Sequence, residues 1–218
     1  VGSADEVEGK SGLAHLHEHL MFKGTDKIPP QEFSKIIARL GGVDNASTSF
    51  DFTNYYQMMN LKNLGKTLSM EADRMQNLTF SETDFNTERN VVIQERVQRI
   101  DNSPFGRFYE KIMTKMYSVA PHKIITTGTR KDLENLTRQD SLDWYEKYYT
   151  PNNAILLIVG DLKPSEFITL VTKNFADIPK REFTLDKWAT EPLYTKKKQL
   201  TINDSQVKSP TYYRISRV

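Results

Sequence analysis

The chain has 218 residues, 38% hydrophobic and 27% charged, with a formal net charge of +2 from 30 basic and 28 acidic side chains. That composition reads as globular, and the charge balance gives no reason to expect nucleic acid or an anionic membrane as partner. There is no cysteine, which excludes a disulfide framework, a thiolate metal site and a thiol nucleophile, so any metal must be held by histidines and carboxylates. No apolar run reaches the length of a membrane span.

Val1-Gly2-Ser3 lacks an initiator Met and reads as the inside of a larger polypeptide. A glycine-bracketed polar loop, Gly9 to Gly12, precedes an apolar helical stretch from Leu13 to Phe22. Gly24-Thr25 breaks it, Pro29-Pro30 opens a second helix, and Gly41-Gly42 stops that helix after Leu40. Asn45–Phe50 and Thr53–Met58 read as the two strands of a hairpin. The spacing of Leu64, Leu68, Met70, Ala72 and Met75 predicts an amphipathic helix. A capping box at Ser81-Glu82-Thr83-Asp84 opens a long helix to about Ile100. Another helix is expected over 105–116 and a loop over 117–130. A second capping box at Thr137-Arg138-Gln139-Asp140 leads a helix to Tyr148. Ala154 to Val159 reads as a buried strand, and Pro164 starts a helix to Phe175. The pattern predicts an α+β fold, a mostly antiparallel sheet with helices packed on one face. Residues 1–179 are expected to form one domain, 180–198 a linker ending in Lys196-Lys197-Lys198, and 199–218 the start of a second unit with one or two strands.

Three of the four histidines stand in His15-Leu16-His17-Glu18-His19. On a helix, successive residues turn by about 100°, so His15 and His19 lie about 40° apart and Glu18 about 60° to the other side of His15. The pair can grip one ion while Glu18 addresses a water on it, which is the H-x-x-E-H arrangement. His17 points about 200° away and reads as a surface or supporting residue. A catalytic zinc wants three protein ligands and an open position, and with no Cys and only His122 left the third is a carboxylate. Glu88 and Glu95 share a face of the long helix but lie two turns, about 10 Å, apart. One ligates and the other supports. Read alone, an i, i+4 histidine pair is more often structural than ligating, Glu88 and Glu95 are a solvated face, and His122 is structural or exposed.

The stretch from Gly12 to Thr25 resembles the signature of the pitrilysin/insulinase family, which includes mitochondrial processing peptidases and bacterial zinc peptidases. Gly41-Gly42 with Asn45-Ala46 and Thr48, Glu71 to Met75, Glu88 to Glu95, and Pro151 to Asp161 match further family segments in order. The resemblance assigns His15, His19 and Glu95 to one zinc ion per chain, Glu18 to the general-base role and Glu88 to a supporting one. It implies a peptide or protein substrate bound extended along Asn45, Ala46, Ser47 and Thr48. It also implies a second homologous half or subunit that closes over the site. Two departures stand out: the family usually has an apolar residue at position 17, and a His-Pro-Tyr run where this chain reads Ala120-Pro121-His122-Lys123.

The expected activity is zinc-dependent endopeptidase, with the chain by itself expected to bind zinc and cleave weakly. The sequence leaves the compartment unknown, with the bacterial periplasm or envelope favoured and the mitochondrial matrix as the alternative. The rivals are a non-catalytic homologue, which would typically have lost the metal motif, a ribosyl-homocysteine lyase of the same half-fold, which depends on cysteine, and a purely structural metal site.

Overall fold

The structure, a computed structural model, describes residues 1–182, 184, 188–194 and 197–216. The chain enters helix α1 (Leu13–Leu20) through Gly12, whose φ of 89° is left-handed. A Cβ there would lie 2.6 Å from Leu133 Cδ2, so the position needs glycine twice over. Glycine has no side chain to cap the helix, and Glu6 does so instead. Its Oε2 accepts the Gly12 N–H at 3.0 Å and its Oε1 the Ala14 N–H at 2.8 Å, satisfying donors that the first turn leaves open.

Helix α2 (Glu32–Arg39) starts just after the proline pair, and its end is followed by Gly41 with φ 75°. Strands β1 (Val43–Thr48) and β2 (Thr53–Met58) form the expected antiparallel hairpin, pairing Val43 with Met58 and Thr48 with Thr53. Helix α3 (Leu64–Asn77) leads to α4 (Glu82–Arg96), which begins at a complete Ser81–Asp84 capping box. A π-turn, Val97–Asp101, carries α4 onward before α5 (Pro104–Met116). A short helix that the sequence patterns did not indicate, α6 (Arg130–Asn135), is capped by Thr129. Helix α7 (Arg138–Tyr148) starts at its Thr137–Asp140 capping box, and α8 (Pro164–Phe175) at its proline. The fold is thus α+β, rich in helix, with a small antiparallel sheet.

An eight-residue helix such as α1 does not persist alone in water, so packing must hold it. Leu13, Leu16 and Leu20 pack among Phe85, Val92 and Ile93 of α4 and Trp144, Tyr145 and Tyr148 of α7. Full burial of such side chains contributes about 1.5–3 kcal/mol each. The helix that carries the histidines is therefore central, with α4 on one side, α7 on another and β1 over a third.

Two expected strand regions are not strands. Among the described residues, 154–159 forms no ladder, and Ile155, Leu157 and Val159 are 98%, 80% and 89% exposed. The apolar run suits a buried strand, but a strand exists only as half of a pair, and among the described residues β1 and β2 pair only with each other. The described part of 199–216 is likewise without strands for want of a partner. Within the expected linker, residues 183, 185–187, 195 and 196 lie outside the described residues, as do 217 and 218 of the final segment. No helix among the described residues is long and apolar enough to cross a membrane.

Candidate metal centre

Helical spacing stacks His15 and His19 on one side of α1, with ring centroids 5.0 Å apart and planes perpendicular. Burial of the opposite side of α1 turns that pair toward α4. There Glu95 Oε2 lies 3.6 Å from His15 Nε2 and 3.6 Å from His19 Nε2. These separations are too long for hydrogen bonds. They suit three ligands around one ion, since tetrahedral zinc with bonds of about 2.1 Å spaces its ligand atoms about 3.4 Å apart. All three candidate ligand atoms lie within 4.8 Å of one another. Two imidazoles and one carboxylate, with no thiolate, also fit the donor set of a catalytic rather than a closed structural zinc site.

Glu88 does not join that group. Its Oε2 meets His19 Nδ1 at 3.0 Å, on the ring edge away from Glu95. With the Nδ1 proton donated to Glu88, the His19 Nε2 lone pair is left for a metal. Lys23 Nζ lies 2.6 Å from the other Glu88 oxygen, and Arg99 Nη1 2.6 Å from Glu95 Oε1.

Glu18 is buried at the edge of the cluster, and Thr48 Oγ1 donates to its Oε2 at 2.5 Å. Burial raises the Glu18 pKa above the usual carboxylate value, against the Thr48 hydrogen bond that lowers it. Burial first, and the neighbouring His19 second, push His15 down to about 4. Burial also pulls on His19, but the hydrogen bond to Glu88 and the negative charge of Glu88 and Glu95 outweigh it and raise His19 to about 9. Glu95 is held below its ordinary value, chiefly by His19. Burial opposes the same shift in Glu88, which His19 and Lys23 nevertheless bring down.

The four expected substrate-strand residues divide by the pleat. Ser49 N–H donates to Phe52 O at 2.8 Å, so alternation along the ladder turns the backbone groups of Asn45 and Ser47 toward β2 and those of Ala46 and Thr48 away from it. The Ala46 N–H is met by Asn45 Oδ1 at 2.9 Å, and the Ser47 hydroxyl donates to Asn54 Oδ1. Only Ala46 and Thr48 of the four present main-chain groups to the open edge.

His17 is not a surface residue. It is wholly buried, with Nδ1 2.7 Å from Ser141 Oγ and its ring 4.7 Å from that of Tyr149. Its direction, about 200° from the site, follows from the helix, but α7 covers that side and encloses it. His122 stands apart from the cluster, against Phe50 at 4.7 Å and Trp188 at 5.5 Å. Glu6, the cap of α1, and Lys23, one turn past His19, escaped the sequence analysis. A basic residue just beyond the motif helix, next to Gly24, was the available signal for Lys23, whereas Glu6 carries no local pattern.

A sequence model described as insulinase (peptidase family M16) matches residues 1–130, and one described as the peptidase M16 inactive domain matches residues 135–215. The chain belongs to the insulinase family of peptidases. It is 42% identical over 178 residues to a zinc protease, PqqE, of Helicobacter pylori, covering 82% of this chain and 40% of that protein. An uncharacterized zinc protease of Rickettsia bellii is 31% identical, covering 84% of this chain and 44% of the relative. The crystal structure of a protease from Helicobacter pylori superposes with a TM-score of 0.85 at 41% identity, covering 88% of this chain and 47% of that one. The chain thus spans less than half the length of these relatives.

Proposed function

We propose that the chain supplies the metal-holding, proton-transferring side of a zinc endopeptidase acting on extended peptides. The observation that carries this reading is the placement of His15 Nε2, His19 Nε2 and Glu95 Oε2 at ligand spacing beside the buried carboxylate of Glu18. One zinc, held by those three residues, would polarise the scissile carbonyl and acidify a water. Glu18 accepts the proton of the attacking water and returns it to the leaving amine. Its raised pKa brings it nearer neutrality, where a residue can serve in both directions. Glu88 keeps His19 in the tautomer whose Nε2 is free. A substrate strand pairs with the open edge of β1 through the main chain of Ala46 and Thr48, a mode that tolerates varied side chains. That places its backbone next to Thr48, and hence next to Glu18. Residues 1–179 form this catalytic unit, and the stretch from 199 begins the half that closes over the substrate. Elemental analysis tests the ligand set. About one zinc per chain is expected, lost in Glu95→Gln and kept in His17→Leu; equal loss in both variants would reject the assignment.

A further inference from the structure

Glu88 and Glu95 each divide their carboxylate between the histidine pair and a cation. Arg99, which meets the outer oxygen of Glu95, has a side chain 66% exposed. Lys23, which meets the outer oxygen of Glu88, has one only 8% exposed. Lysine is seldom buried so deeply without a partner, and among the described residues Glu88 is the carboxylate within ion-pair distance of it. The turn after α1 delivers it: the Lys23 N–H donates to Leu20 O at 2.9 Å, one turn beyond His19. The result is a chain of contacts, Lys23 Nζ to Glu88 Oε1 at 2.6 Å and Glu88 Oε2 to His19 Nδ1 at 3.0 Å.

On the zinc reading above, we propose that Lys23 is a positioning residue of the metal centre, holding Glu88 so that one oxygen receives the His19 Nδ1 proton and His19 Nε2 is left facing the ion. Without Lys23 the Glu88 carboxylate is free to rotate about its Cγ–Cδ bond, and the His19 ring loses its fixed edge. A lysine that only tied the turn to α4 would affect folding stability and leave metal affinity alone.

The experiment measures zinc affinity of the purified protein by competition with a chromophoric chelator, alongside the melting temperature of the zinc-free form. Lys23→Met, Glu88→Gln and the double variant are compared with the unaltered chain. Outer partners of metal-bound histidines are worth about 10–100-fold in affinity, and a loss in that range is expected for Lys23→Met. The double variant should bind no more weakly than Glu88→Gln alone, because Lys23 acts through Glu88. Unchanged affinity in Lys23→Met, or a loss that multiplies with that of Glu88→Gln, overturns the proposal. If Lys23→Met does not fold, the uncharged and shorter Lys23→Gln is read in the same way. Failure of the unaltered chain to bind zinc would instead remove the metal reading, and this proposal with it.

Discussion

Replacing His17 together with its partner should change how the fold tolerates acid. His17 is fully enclosed, its Nδ1 lies at hydrogen-bond distance, 2.7 Å, from Ser141 Oγ, and burial pulls its pKa from 6.5 to about 3. The folded pKa is the lower one, so the fold favours the neutral ring. The stability tied to that neutrality is whole above the unfolded pKa of 6.5 and is lost as the pH falls toward about 3. Across this window the unfolded chain takes up a proton that the native chain refuses, at about 1.36 kcal/mol per pH unit. At about pH 4.5 the penalty is therefore about 2.7 kcal/mol, a large part of an ordinary stability. His17→Leu with Ser141→Ala removes both polar partners at once and leaves no orphaned hydroxyl. The assay is urea unfolding of the metal-free protein at about pH 7.5 and about pH 4.5, followed by tryptophan fluorescence, to which Trp144 contributes from the same core. His15 and His19 titrate in both proteins, so their share cancels in the difference. Between the two pH values the stability difference should move in favour of the double variant by about 2–3 kcal/mol. A difference that stays the same at both would refute the burial argument for His17.

Zinc affinity should climb by up to tenfold per pH unit as the pH approaches 9. In the metal-free site Glu88 and Glu95 raise His19 to about 9, and its proton must leave before a metal binds; competition titrations showing a flat profile from neutral to pH 9 would contradict this. Glu6→Ala should destabilise the protein by about 1–2 kcal/mol, because two amides at the start of α1 lose their acceptor; chemical denaturation measures it. Gly128→Ala should cost about 2 kcal/mol or more, since φ is 70° and a Cβ would fall 2.4 Å from Ser11 O beneath the loop that leads into α1; an unchanged melting temperature would show that the loop yields.

The side of the site carried by α1 was legible from spacing alone. His15, Glu18 and His19 fall together because a helix fixes their angles wherever it is placed. The two capping boxes and the hairpin were legible for the same reason, each being decided within a few residues. What spacing could not decide was which carboxylate of α4 faces the histidine pair. Glu88 and Glu95 share a face, and only the crossing of α1 over α4 puts Glu95 at both Nε2 atoms and Glu88 at the far edge of His19. The resemblance to the family assigned Glu95 to the metal and Glu88 to support, a choice that the helix alone left open. His17 shows the same limit: its direction is local, while its burial depends on α7, more than a hundred residues on. Glu6 reaches eight residues ahead to cap a helix that has glycine at its start. For 154–159 the hydropathy is that of a strand, yet strand formation is a property of two segments and not of one.

Hydrolysis by a Glu18→Gln variant tests the central claim most directly. Glutamine keeps the shape and the Thr48 contact of Glu18 but cannot accept a proton from water. The complete protein carrying this change should hold as much zinc as the unaltered one and cleave an internally quenched peptide about 10²–10⁴-fold more slowly. Chelator-sensitive cleavage at close to the unaltered rate, with zinc in place, would contradict the assignment of Glu18 as the base and the peptidase mechanism built on it.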